Sequence, residues 1–331
     1  MKPDPFTWRD GERTIRFGRG VAAEAVDVLG GPGYALLTTE RAQSSAPALV
    51  EGAGALHLVG PGLVDELAGE LLGAVARDRI VALGGGRVVD VAKSLAAASG
   101  GTQVAMAVPT TLSGAEMTRI HRRAKGGDPR GETVRPRVVV IDPGLSASQP
   151  EAELAASALN ALGHAVEGPC TPFANPVATL AALESARLLV GAFRPGREPD
   201  RDALALGALL AGYTIDSTGY GLHHVLSQTL VRIGGAGHGP ANAVLLAHTI
   251  GALAWRAPAQ HEALGTLLEE DPADAAARLC ALTGATRLEA LGLESGTLAA
   301  CADAAAERPE LDLTPPRADR AELLAIYESA Y

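Results

Sequence analysis

The chain predicts an α/β protein, with a parallel sheet in its first part and helices alone in its second. Three observations carry that expectation. Short aliphatic runs alternate with segments of helical period as far as residue 149, as happens when strands are buried on both faces beneath crossover helices. Beyond Pro150 the composition and period are almost entirely helical. Between one apolar run and the helix that follows it stand three consecutive glycines, Gly84, Gly85 and Gly86. The expected division is 1–149 and 150–331.

Taken in order, buried strands are expected at Tyr34–Thr38, Ala55–Val59, Ile80–Leu83, Val104–Val108 and Arg137–Ile141, each short, aliphatic and bounded by turn residues. Helices are expected at Ala22–Leu29, Val64–Arg77 and Val88–Ala98. Ser148-Gln149-Pro150-Glu151 reads as a capping box with proline in the first turn, which opens the helical part. Breaks in that part fall at Arg194-Pro195-Gly196 and from Ile233 to Pro240.

A chain of 331 residues with 47% hydrophobic content can fill a sizeable core. No apolar run approaches the roughly 20 residues that cross a bilayer, and Met1–Pro5 has no signal-peptide pattern, so a cytoplasmic protein is expected. Cys170, Cys280 and Cys301 are odd in number and lack CxxC spacing, which argues for buried thiols rather than a disulfide framework. The formal charge of -10 repels polyanions, and no basic stripe offsets it. Nucleic acid and anionic membrane are thereby poor partners, and a small molecule is the expected one.

Three regions could carry chemistry. The run Leu83-Gly84-Gly85-Gly86-Arg87 puts bare backbone N–H groups and the positive end of a helix in one place, which suits a pyrophosphate, although a tight strand-to-helix turn would need the same glycines. Pro109–Thr118 follows another strand end and offers Thr110, Thr111, Ser113 and Glu116 at the sheet edge where open α/β folds bind ligands. His164, His224 and His238 are the third region. On a helix, Asn160, His164 and Glu167 fall on one face, a turn apart. Arg119, Arg122, Arg123 and Lys125 could attract a carboxylate or form a solvated charge run.

In combination these motifs resemble the iron-containing alcohol dehydrogenase family, which has a dehydroquinate synthase-like fold, and within it the maleylacetate reductases. The resemblance runs from Arg16-Phe17-Gly18 through Asp90 and Lys93, Glu116-Met117-Thr118 and Asp142-Pro143 to Asn160, His164-Ala165-Val166-Glu167, Gly221-Leu222-His223-His224 and His238-Gly239. It implies a dinucleotide-binding domain over 1–149, a helical metal and substrate domain over 150–331, and a cleft between them. NAD(P)H would lie across Gly84, Gly85 and Gly86, near Asp90, Thr110 and Thr111, with Thr38 and Thr39 at the adenosine ribose. His224, His238 and His164 would act on a small carbonyl or keto acid by hydride transfer. Asn160, His164, His224 and His238 fall on the family's positions for iron or zinc. Asn160 replaces an aspartate, so the metal is weakened and not required. Gln228 stands where another histidine is usual, Arg87 where serine is usual, and Thr39 where other branches place aspartate. The segment Gln43–Val64 is short for the family. A homodimer is implied by analogy. The alternatives are a tailoring enzyme that performs oxidative decarboxylation or non-redox elimination, and a binding subunit without turnover.

Overall fold

The computed structural model describes residues 4–128, 130–147 and 149–331. The chain divides into two compact units, 1–149 with 201–205, and 150–200 with 206–331.

In the first unit, seven strands among the described residues form one sheet: β1 (Phe6–Asp10), β2 (Arg13–Phe17), β3 (Ala35–Thr38), β4 (Ala55–Leu58), β5 (Arg79–Gly84), β6 (Val104–Pro109) and β7 (Val138–Ile141). Their order is β1-β2-β7-β6-β5-β3-β4. All neighbours are parallel except β1 and β2, which pair as a hairpin with Phe6 opposite Phe17 and Asp10 opposite Arg13. The five strands expected from the aliphatic runs are β3 to β7. The hairpin is an addition, and it makes the sheet mixed.

Helices α1 (Ala25–Val28), α2 (Glu40–Gln43), α3 (Pro47–Glu51), α4 (Val64–Leu71) and α5 (Gly86–Ala98) complete this unit. Because successive strand residues face opposite sides, Leu36, Val81 and Leu83 join Ala25, Leu29 and Leu49 in one core, while Leu37, Ile80 and Ala82 join Ala68, Val88, Val91 and Leu95 in the other. The helix expected over Val64–Arg77 stops at Leu71: Gly73 adopts φ 78°, a left-handed conformation that ends a helix. The helix expected over Ala22–Leu29 is a 3₁₀ turn, Val21–Glu24, running into α1.

The second unit is helical: α6 (Glu151–Glu167), α7 (Pro176–Gly191), α8 (Arg201–Thr218), α9 (Leu222–Ile233), α10 (His238–Arg256), α11 (Pro258–Leu268), α12 (Pro272–Cys280), α13 (Ser295–Ala306) and α14 (Arg320–Ala330), with short 3₁₀ turns. Helix α10 is its centre, packed on α6, α9, α12 and α14 through a row of small and aliphatic residues that includes Ala241, Val244 and Leu245. The first turn of α8 packs with the first unit, because Asp202 pairs with Arg19 and Arg201 donates to the Gln149 carbonyl. Ser148 of the proposed capping box lies outside the described residues, and no side chain caps α6 at Pro150. Cys280 and Cys301 are buried as expected, but Cys170 is only half-buried, its thiol donating to the Val166 carbonyl.

Candidate functional site

In the first unit the glycine turn connects β5 to α5. Each glycine is imposed by a close neighbour. A Cβ on Gly84 would lie 2.7 Å from Val88, one on Gly85 3.1 Å from Thr111, and one on Gly86 2.9 Å from Ser113. The tight fit brings the start of α5 against the loop after β6, where Thr110 donates its N–H to the Gly84 carbonyl at 2.9 Å. No side chain caps α5, so its first backbone N–H groups keep the positive end of a 13-residue helix uncovered by its own sequence.

A cavity of about 250 Å³ opens there. Gly85, Gly86 and Arg87 form one side of it, with Thr110 and Thr111 beside them. Thr39, Arg41 and Ser45, at the end of β3 and on the segment after it, form another. Of the residues expected at a cofactor, Gly85, Gly86, Thr39, Thr110 and Thr111 line this cavity. Gly84, Thr38 and Asp90 do not. Thr38 is fully buried in the strand. Asp90 pairs with Lys93 at 2.8 Å, and the buried Lys93 ammonium donates to the carbonyls of Ala115, Thr118 and Ile120, fixing the 115–120 segment. Glu116 is buried in that segment, and burial raises its carboxyl to about 7, against a lowering from Lys93. Arg119, Arg122, Arg123 and Lys125 are exposed, which fits the solvated charge run.

In the second unit, α6 and α9 assemble the imidazoles. Asn160, His164 and Glu167 share a buried face of α6, as their spacing predicts. The Glu167 carboxylate holds the start of α9: Oε1 accepts the His223 backbone N–H at 2.7 Å, and Oε2 lies 2.8 Å from His224 Nδ1. The rings of His164 and His224 stack with centroids 4.5 Å apart, and His223 meets His224 edge-on at 4.9 Å. This approach requires glycine at 163, where a Cβ would stand 2.8 Å from the His223 ring. His223 Nδ1 pairs with Thr249 Oγ1 at 2.9 Å.

Burial holds these imidazoles neutral. It lowers His223 and His224 to about 3 and His164 well below the ordinary range, and the neighbouring histidines add to the effect. Glu167 is raised by burial to about 7, opposed by His223. His164 Nδ1 and His224 Nε2 are buried with no hydrogen-bond partner. Bare nitrogens of this kind call for a ligand, because an unsatisfied buried polar atom costs about 1–3 kcal/mol.

His238 is different. It is exposed at the first position of α10, with Nε2 3.5 Å from Asn242 Nδ2. Among the described residues no three His, Cys, Asp or Glu side chains are grouped closely enough to hold a metal. His164 Nδ1 and His224 Nε2 are the donor atoms a divalent cation would use, and Glu167 orients His224 as an outer carboxylate does. With the neutral Asn160 amide beside them, two imidazoles do not make the donor set of a tightly held iron or zinc. Gln228 is engaged elsewhere: Arg308 donates to its Oε1 at 3.1 Å and also binds Glu310 and Tyr220.

Sequence reasoning missed Arg41, Ser45 and Gln149 at the cavity, and His223 beside His224. The doublet His223-His224 directly after Gly221-Leu222 was the available signal for the last.

Comparison with solved structures gives the class. A maleylacetate reductase from Agrobacterium tumefaciens matches with TM-score 0.82 and 26% identity, covering 99% of both chains. That of Rhizobium sp. strain MTP-10005 matches with TM-score 0.81 and 27% identity, over 100% of this chain and 99% of the other. A sulfoacetaldehyde reductase from Bifidobacterium kashiwanohense, solved in complex with NAD+, shares the fold at 22% identity and TM-score 0.79, covering 98% of each chain. The architecture is that of oxidoreductases with a mixed sheet and a helical carboxy-terminal part. Residues 154–331 match the Fe-containing alcohol dehydrogenase family, C-terminal. The chain is 31% identical over 328 residues to the Rhizobium maleylacetate reductase, covering 92% of each. It is 34% identical to maleylacetate reductase 1 of Rhodococcus opacus over 264 residues, 77% of this chain and 73% of that one. This chain belongs to the Fe-containing alcohol dehydrogenase family, in its maleylacetate reductase branch, and is an oxidoreductase.

Proposed function

We propose that the chain catalyses NAD(P)H-dependent hydride transfer to or from a small carbonyl or keto-acid substrate, as its similarity to maleylacetate reductases suggests. The observation that carries the reading is the uncapped start of α5 at the glycine-lined cavity, a site suited to a pyrophosphate. Gly85 and Gly86 let the phosphates approach the backbone, and Thr110 and Thr111 offer hydroxyls to them. When bound, the nicotinamide supplies or accepts the hydride.

The chain's own residues would manage the substrate oxygen and its proton. Neutral His164 and His224 orient a carbonyl or hydroxyl by hydrogen bonding, the Glu167 contact fixing the ring of His224. His238, exposed at the start of α10, offers a ring nitrogen to a substrate oxygen from the solvent side. No step passes through a metal, because the donor set does not fit one tightly held.

A cytoplasmic homodimer belongs to the same proposal. No helix among the described residues is long and apolar enough to cross a membrane. The exposed Phe173, Val177 and Leu180 give the helical unit an apolar face that a second copy would cover, which light scattering checks.

The test is titration of the purified protein with NADH and NADPH, followed by nicotinamide absorbance with a panel of small keto acids, maleylacetate included. Saturable binding and substrate-dependent oxidation are expected. Binding of neither dinucleotide would overturn the reading.

A further inference from the structure

We propose that the cofactor is NADPH, and that Arg41 and Arg87 together clamp its 2′-phosphate. The inference rests on the dinucleotide reading above and adds to it the discrimination between the two cofactors.

Strand order places the two arginines. Arg87 follows β5, yet its Nη1 donates to the carbonyl of Gly60, beyond the end of β4, at 3.3 Å. Since β3 lies between β5 and β4 in the sheet, the Arg87 guanidinium spans the carboxyl end of β3. Arg41 sits three residues past the end of that strand, on α2, and lines the same cavity. Both side chains are exposed, so neither charge is buried when no ligand is bound. In a dinucleotide fold the end of the strand beside the glycine strand is where the adenosine ribose is read, by a carboxylate for a free 2′-hydroxyl or by arginine for a 2′-phosphate.

The lining has the second composition. Among the described residues that form the cavity there is no aspartate or glutamate, whereas Arg41 and Arg87 both contribute, with Ser45 beside them. Thr39, the residue nearest in sequence to the ribose position, has its Oγ1 accepting the Ala42 N–H at 3.2 Å as the cap of α2. That contact closes a helix and adds no charge to the cavity. The Ser45 hydroxyl donates to the Ala42 carbonyl at 2.6 Å, so its proton is engaged within the turn after α2. A phosphate dianion satisfies two guanidinium groups through charge-assisted, forked hydrogen bonds, and a ribose hydroxyl satisfies neither. In a chain of net charge -10, a local pair of cations with no acid among the lining residues selects for the more highly charged cofactor.

The experiment measures dissociation constants for NADPH and NADH by fluorescence on the full chain, and repeats them with Arg41→Ala, Arg87→Ala and the double variant. The expected result is NADPH bound at least about tenfold more tightly than NADH. That ratio should fall toward one in the double variant, and rising salt should erode it in the native chain. Adenosine 2′,5′-bisphosphate against adenosine 5′-monophosphate gives the same ratio without the nicotinamide, and each variant's melting temperature reports its folding. Equal binding of NADH and NADPH by the native chain would overturn the clamp and leave the oxidoreductase reading standing. A ratio unchanged in the folded double variant would overturn the assignment to these arginines. Binding of neither dinucleotide would overturn both readings.

Discussion

Asn160 is the residue on which the metal question turns. It is buried on α6 one turn before His164, whose Nδ1 is unpartnered, and His224 is stacked on that ring. An amide adds no charge to two neutral imidazoles, so a divalent cation gains little there. Asn160→Asp would add a buried carboxylate next to both, which costs the metal-free protein about 1–3 kcal/mol and gives a cation a charged oxygen ligand. The variant should melt lower than wild type in chelator, bind Zn²⁺ at least about tenfold more tightly by calorimetry, and recover its melting temperature when loaded. Wild-type turnover should survive dialysis against chelator. Equal zinc affinity in the two proteins would show that these side chains do not converge on a common ligand. The helical spacing of Asn160, His164 and Glu167 made this face legible in the sequence. That Glu167 would serve α9 by accepting from His223 and His224 was not, because the pairing joins residues 56 and 57 positions apart.

At the scale of elements, what the sequence revealed depended on how each element is stabilised. The strands β3 to β7 are buried on both faces, and an aliphatic run announces such a strand without reference to any partner. The hairpin β1 and β2 hid because its outer strand alternates half-buried and exposed residues over only five positions. Its signal was nonetheless present: Gly11-Glu12 between the two strands, with Gly11 at φ 59°, is a two-residue hairpin loop with glycine at its first position. Helix α4 ended early because one glycine outweighed six further residues of helical period. The start of α5 is the element with most functional consequence. Gly86→Ala puts a Cβ 2.9 Å from Ser113, so either the helix or the loop after β6 must give way. Overpacking of this kind costs about 1–3 kcal/mol, and it displaces the N–H groups aimed at the cavity. The variant should remain folded and lose both NADH and NADPH binding. Native affinity for both would mean that the cofactor does not use this turn.

For the molecule as a whole, the buried titratable groups set the pH at which it is most stable, and they pull in opposite directions. Burial lowers His121, His164, His223, His224 and His248 in the folded state. Each therefore contributes stability that is present above the unfolded value of 6.5 and lost as pH falls through its folded value, which is about 3 for His223 and His224. Glu116 and Glu167 are raised from 4.5 to about 7, so their contribution is complete below 4.5 and is lost as pH rises through about 7. Between 4.5 and 6.5 the three fully buried imidazoles, His164, His223 and His224, outnumber the two carboxyls, the unfolded chain binds more protons, and stability rises with pH. Above 6.5 the unfolded imidazoles lose their remaining protons, the two carboxyls come to dominate, and stability falls. The melting temperature should consequently peak between about pH 6 and 7. Glu116 belongs to the unit that holds the sheet and is shifted by burial, Lys93 and Asp90 with no imidazole among the causes, so Glu116→Gln isolates one term. Relative to wild type the variant should gain melting temperature steadily from pH 5 to pH 8, by at least about 3 °C across that range. A difference that stays constant with pH would mean that Glu116 is ionised throughout, with Lys93 close enough to compensate its burial.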